Sequence, residues 1–482
     1  MQMRYAWLAA LLVSVITLKA VGNSVGLIDA VKAGDRQTVR GLLKQRAAVN
    51  TAEADGMTAL HWAVTANDME MAQLLIRAGA NVKAANRYGV APIALAALNG
   101  NPVLIEVLIK AGADPNTATP EGETVLMTAA RTGNAAAVRV LSAHGAAVNA
   151  KEKWQQQTAL MWAASENNAA AVEALVEAGA DMNVRSAVWN FPEYRYETNG
   201  MAVFQLPRGG WTALMYAARQ NAMDAAATLS DMKADLNAAD PDGTTALQLA
   251  ILNVHYDLAG LLLDKGADPN VADNTGMTAL YAAVDMRSPA GMMTRPNPKL
   301  VGKIDAAGIV KHLLLSGANP NLRLKKPIIG RHNNLVGDTS LGEGATPLAR
   351  AAKTKDLPVM RLLLDGGADP AITLKDRTTT AMIAAAGGGG EANALDAVKL
   401  LVEHGVDVNA FNTNGQTLLH NAAARGANSI IEYAAEKGAR LDRKDKQART
   451  ALDIALGGGA RGGGRGQVNE NTAALLRELM SR

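Results

Sequence analysis

Apolar and polar positions along this chain fall into one block that recurs, with a period of almost always 33 residues. The block that starts at Gly56 shows its logic. Thr58 precedes an apolar run, Ala59 to Ala66, which predicts a short helix capped by the threonine hydroxyl. Asn67-Asp68 is a polar break where the chain turns. Met71, Leu74, Leu75 and Ile76 predict a second helix with one buried stripe. Gly79 suits the left-handed conformation that closes a helix, and the polar stretch from Asn81 to Gly89 predicts a turn or hairpin finger. The T-A-L lead recurs at Thr124, Thr158, Thr212, Thr245, Thr278, Thr346, Thr380, Thr417 and Thr450, with Ala91 in the threonine slot between the first two. A fixed period in this range means stacked copies of one supersecondary unit, so the expected architecture is an all-α repeat solenoid whose fingers are loops or β-hairpins. The functional question then moves from a pocket to an extended surface.

The block resembles the ankyrin repeat, whose pattern is D-x-x-G-x-T-P-L-H-x-A-A followed by L-L-x-x-G-A-D-x-N. The matching residues are Asp55, Gly56, Thr58, Leu60, His61 and Ala63, then Leu74, Leu75, Gly79, Ala80 and Asn81. AGADPN at 111–116, KGADPN at 265–270 and SGANPN at 316–321 repeat the ending. The resemblance covers about residues 25–480 and implies binding through the fingers and inner helices, which together form a concave groove. It places Met57, Val90, Glu123, Gln157, Trp211, Thr244, Met277 and Gln416, the residues between finger glycine and threonine, along that groove. The pattern's histidine survives only at His61 and His420; Met127, Met161, Met215, Gln248 and Tyr281 take its slot elsewhere. The resemblance implies that these histidines bond between repeats, a structural role.

The ends read differently. Residues 1–20 join Arg4 to an apolar run from Ala6 to Leu18 and close on Ala20, the three-part pattern of a secretory signal peptide. The run is shorter than the roughly 20 residues that span a bilayer; an uncleaved anchor is the alternative reading. Residues 25–50 predict an N-terminal capping repeat, 51–449 the ankyrin repeats, and 450–482 a C-terminal cap with a Gly-rich loop at 457–466. A periplasmic or secreted protein, without stable membrane insertion after cleavage, is expected. The short signal and the absence of cysteine point to a bacterial source.

Three inserts break the period, at 184–210, 286–305 and 322–344. The first holds Trp189, Phe191, Tyr194, Tyr196 and Phe204, with Trp211 just beyond it, out of only six Trp, eight Tyr and three Phe in the whole chain. Aromatic side chains give large contact area at low entropic cost and dominate binding hot spots. With Trp154 in the preceding finger, these residues are candidate partner anchors; the alternative is a small hairpin packing its own rings on neighbouring helices. The other inserts fall in a stretch from Arg287 to Arg331 in which Asp305 is the only acid. Arg323, Lys325, Lys326 and Arg331 are candidates for contact with an acidic partner, against the reading of plain solvated charge.

Composition adds exclusions. The net charge is +3, from 48 Lys and Arg against 45 Asp and Glu, without the concentrated basic face of a nucleic-acid binder. No cysteine is present, which removes disulfides and cysteine metal sites. GNSVG at 22–26 matches G-x-S-x-G but straddles the expected cleavage site, outside the strand–turn–helix context of a nucleophile elbow. HExxH, phosphate-loop and dinucleotide fingerprints are missing. No catalytic residue, metal or cofactor is assigned. The expected function is a monomeric, non-catalytic scaffold for protein–protein interaction; a carbohydrate or small ligand held by the aromatic insert, or a host-directed secreted effector, are the alternatives.

Overall fold

Eight of the described first helices start from the same local device. The hydroxyls of Thr58, Thr124, Thr158, Thr212, Thr245, Thr278, Thr346 and Thr450 each accept a hydrogen bond from the backbone N–H three residues on, within the first turn. That satisfies one of the donors a helix start leaves open. At Thr380 the device slips by one: Thr379 caps Met382 N–H at 3.2 Å and Thr380 lies inside the helix. Asp68, Asn101, Asn134 and Asp356 cap second helices in the same way.

This computed structural model describes residues 26–189, 208–287, 300–328, 341–386, 390–458 and 468–482. Residues 1–20, expected to be a signal peptide, lie outside them. The chain falls into two compact units, 1–119 and 120–482. The first contains α1 (Leu27–Lys32), α2 (Arg36–Lys44), α3 (Ala59–Thr65), α4 (Met69–Arg77), α5 (Pro92–Leu98) and α6 (Pro102–Lys110). The second opens with α7 (Val125–Thr132), α8 (Ala135–Ala143), α9 (Ala159–Ser165), α10 (Ala169–Glu177) and a two-stranded hairpin base, β1 (Val188–Trp189) and β2 (Arg208–Gly209). Next come α11 (Ala213–Gln220), α12 (Met223–Asp231), α13 (Ala246–Leu252), α14 (Tyr256–Asp264), α15 (Ala279–Met286) and α16 (Ala306–Leu315). It ends with α17 (Pro347–Thr354), α18 (Leu357–Asp365), α19 (Thr380–Ala386), α20 (Glu391–Glu403), α21 (Leu418–Arg425), α22 (Asn428–Glu436), α23 (Ala451–Ala455) and α24 (Glu470–Ser481).

Within each unit, first helices pack on the first helices of the next repeat, and in the second unit second helices pack on second helices. This is the all-α repeat solenoid, and its core is a continuous layer of Ala and Leu. The buried stripe of α4 is Met71, Ala72 and Leu75; Leu74 and Ile76 are half-exposed, because three consecutive helical residues cannot share one face. Five asparagines at the ends of the G-A-x-x-N runs and their close variants stitch repeats together. Asn270 donates its amide to Gly317 O at 3.0 Å and accepts Asn319 N–H at 2.7 Å. Asn50, Asn149, Asn321 and Asn409 make the same two bonds to the repeats that follow them.

Candidate recognition face

The fingers of the second unit are built around a side chain that gathers backbone N–H groups. Asp240 accepts from Asp242 and Thr244 at 2.9 and 2.8 Å, and Asn412 from Asn414 and Gln416, both at 3.0 Å. In the finger that starts at Glu152 the loop is one residue longer, and a longer acid fills the slot. The Glu152 carboxylate, 6% exposed, accepts Trp154 N–H at 2.6 Å, Gln155 N–H at 2.8 Å and Gln157 N–H at 3.0 Å. Gln156 takes the left-handed conformation there, with φ at 54°. The extra methylene of glutamate lets one carboxylate span the enlarged turn, and this fixes the backbone that carries Trp154.

The next finger is held against it. Ala187 N–H donates to Gln155 O at 2.7 Å, Ser186 N–H to Trp211 O at 3.1 Å, and Trp211 N–H returns to Ser186 Oγ at 3.1 Å. Val188 pairs with Gly209 and Trp189 with Arg208 in an antiparallel register. Only glycine fits at 209: its φ is 104°, and an added Cβ would sit 1.9 Å from Ala187 O. The two turns place Trp154 and Trp189 edge to face, with ring centroids 5.9 Å apart, yet leave the rings 50% and 38% exposed.

Behind these tips, the first helices continue the aromatic face. Trp162 on α9 donates Nε1–H to Gln157 Oε1 at 3.1 Å and carries the Arg131 guanidinium of α7 over its ring at 5.3 Å. Arg131 also pairs with Glu123 at 3.2 Å. Trp211 donates to Asp240 at 3.3 Å, meets Tyr216 edge to face at 5.4 Å, and lies under the Arg219 guanidinium at 5.0 Å. Guanidinium stacked on indole keeps a planar cation beside an apolar surface, a combination enriched at binding hot spots. The first unit repeats the motif by itself: Lys32 lies over Trp62, and both contact Glu53.

Of the residues singled out in the sequence, Trp154 and Trp189 therefore meet ring to ring, and Trp211 is tied by hydrogen bonds to Ser186 in the same finger as Trp189. Phe191, Tyr194, Tyr196, Phe204 and Arg331 lie outside the described residues. Arg323, Lys325 and Lys326 are exposed on their finger, which is pinned by Leu324 N–H to Ala345 O at 2.9 Å and Lys325 N–H to Thr275 O at 2.8 Å; Leu324 between them is buried. Arg287, counted in the basic stretch, turns inward and pairs with Asp356. Met57, Thr244 and Met277, expected along the groove, are buried instead, because the finger backbone at those positions folds their side chains under the neighbouring turn. Trp162, Tyr216, Arg131 and Arg219 were not singled out. Their signal was the fifth and eighth positions of the T-A-L motif, where aromatic residues and arginine stand in place of small residues.

The family model for ankyrin repeats (3 copies) matches residues 27–119, 93–186, 197–273, 233–291, 303–412 and 390–462, so the chain belongs to the ankyrin-repeat family. Such repeats generally mediate protein–protein interaction and are generally non-catalytic. The chain is similar to the mouse Ankyrin repeat domain-containing protein 63, 31% identical over 29% of this chain and 36% of the relative. It is also similar to the mouse B-cell lymphoma 3 protein homolog, 33% identical over 23% of this chain and 24% of the relative. Likeness to the Transient receptor potential cation channel subfamily A member 1 homolog of Caenorhabditis elegans is 30% over 23% of this chain and 9% of that protein. The chain thus spans between about a tenth and a third of the length of these relatives. Among the described residues, no helix is long and apolar enough to cross a membrane.

Proposed function

We propose that this chain is a non-catalytic, monomeric scaffold that binds a protein partner in the cell envelope or outside the cell. Its recognition face centres on Trp154, Trp189, Trp162 and Trp211. The observation that carries the reading is the exposed Trp154–Trp189 pair, raised on a turn whose backbone is fully organised by buried Glu152. Rigid aromatic anchors lose little entropy on binding, and the exposed indole pair favours a partner with an apolar centre. Nearly balanced charge supports a protein over a nucleic acid as the ligand. Export is supported by the run from Ala6 to Leu18 that ends at Ala20.

The test is affinity capture from the cell envelope with the full chain and with its W154A/W189A variant, side by side, read by mass spectrometry. A protein retained by the first and lost from the second supports the proposal. Retention of the chain on glycan with no protein captured would favour a saccharide stacked on the same rings, and would overturn it.

A further inference from the structure

Three consecutive fingers near the C-terminal end of the second unit share one ring. Phe411 lies in the middle finger. The Arg377 guanidinium carbon approaches it from the preceding finger at 4.8 Å, and that of Arg443 from the following finger at 3.8 Å. The fingers are laddered by Thr413 N–H to Asp376 O at 2.7 Å and Lys446 N–H to Asn414 O at 2.9 Å, so the stacking order 377, 411, 443 is fixed by backbone.

Arg377 holds its place at a cost. It occupies the finger position filled by Gly243, Gly276, Gly344 and Gly415, and by Gln156 and Ala448 in two further repeats, and it shares their left-handed conformation, with φ at 66°. A Cβ added at Gly243, Gly276 or Gly344 would come within 2.9 Å of the next finger's backbone. An arginine forced into that slot is steered along the following finger, where Phe411 receives it. Left-handed backbone in a non-glycine residue is a strain that persists only where surrounding contacts determine it.

The two cations are short of counter-charge. Among the described residues neither guanidinium makes an ion pair or a side-chain hydrogen bond. The nearby carboxylates are otherwise engaged: Asp376 accepts Thr378 N–H at 3.0 Å, Asp442 pairs with Arg440 at 3.6 Å, and Asp445 with Arg449 at 2.7 Å. Lys444 and Lys446 are exposed beside them. Two like charges held within roughly 9 Å, inside one Debye length at physiological salt, repel one another and draw anions.

We propose that Arg377, Phe411 and Arg443 form a second recognition site, which takes an extended acidic segment of a protein partner. The two guanidinium groups reach the ring from the fingers that precede and follow its own. Alternate side chains of an extended strand lie on one face about 7 Å apart, and two carboxylates so spaced reach both cations. The site is independent of the tryptophan face described above.

The probe is a fluorescein-labelled peptide of four Glu-Ala repeats, titrated with the full chain by fluorescence anisotropy at low salt. Its Gln-Ala analogue, single-stranded DNA and inorganic tripolyphosphate serve as competitors. The expected result is binding of the Glu-Ala peptide alone, weakened about fivefold or more in R377G and in R443Q and unchanged in R323Q. R377G relieves left-handed strain, so its melting temperature stays level or rises and lost binding is not lost folding. Absent binding, affinity in R377G and R443Q equal to that of the parent chain, or displacement by DNA or tripolyphosphate at lower concentration would each overturn the proposal.

Discussion

The Trp154 and Trp189 rings meet edge to face, with centroids 5.9 Å apart and planes inclined at 67°. They come from different fingers, and both remain open to solvent. Such a pair contributes about 0.5–1.5 kcal/mol beyond its buried area, toward the lower end when exposed. Trp154→Ala and Trp189→Ala are each expected to cost about 1 kcal/mol or less in urea denaturation. The double variant should cost less than the sum, since the pair is lost only once. Strict additivity would show that the rings do not interact in solution.

Glu152 carries the turn beneath Trp154. Its removal leaves three backbone N–H groups without their acceptor in a turn whose other residues are half-buried or exposed. Glu152→Ala is expected to destabilise by about 2–4 kcal/mol. Glu152→Asp is expected to be intermediate, because the shorter side chain fits the four-residue turns of Asp240 better than this longer one. Urea denaturation checks the order, and near-ultraviolet circular dichroism reports whether Trp154 loses its fixed environment. Equal stability in all three proteins would contradict the assigned role.

Two buried histidines make stability depend on pH. His61 accepts Thr58 N–H at Nδ1 at 3.1 Å, and its Nε2 lies 3.1 Å from Val90 O; His420 does the same between Thr417 and Arg449 O. Both imidazoles titrate below 6.5, because burial disfavours the charged ring more than the neighbouring carbonyl favours it. The folded chain therefore binds fewer protons than the unfolded chain below that value. Stability is complete above about pH 6.5, falls as pH drops through it, and levels off below the folded-state value. Gln248 performs the same bridge without titrating, accepting Thr245 N–H at 2.9 Å and donating to Met277 O at 2.7 Å. The H61Q/H420Q variant is accordingly expected to keep its stability near pH 7.5 and to lose less of it at pH 5.5. Identical losses in both proteins would place the acid sensitivity elsewhere.

Arg350 and Asp285 form a buried ion pair between α17 and α15, with the arginine side chain 3% exposed. Arg350→Met leaves the Asp285 carboxylate without its guanidinium and is expected to cost about 3–5 kcal/mol. D285N/R350M is expected to recover a large part of that loss. Denaturant midpoints of the two variants decide it; a single variant as stable as the parent would remove the pair from the account.

The architecture was legible because its signals are local. A threonine before an apolar run, a polar break and a Gly-Ala-x-x-Asn ending each act within a few residues, and they recur. The recognition face was legible in part. Trp154, Trp189 and Trp211 stood out by being aromatic in loops, whereas Trp162 and Tyr216 sit in an apolar helix slot that reads as core. Trp162 on α9 stays half-buried, whereas Tyr216 on α11 is buried against Trp211. Arg287 misled for the opposite reason: its partner, Asp356, is 69 positions away, and charge counted along the chain does not show such a pairing. Met57 and Met277 were expected on the surface because alignment with the motif gives position and no side-chain direction.

The central claim is that Trp154 and Trp189 bind a partner and are not there to hold the fold. Its most direct measurement is the dissociation constant of the captured protein for the full chain and for W154A/W189A, with the melting temperature of each recorded alongside. The account predicts affinity weakened about tenfold or more, the loss of about 1.4 kcal/mol or more of binding free energy, with melting temperatures within a few degrees. Unchanged affinity together with a large fall in melting temperature would contradict it.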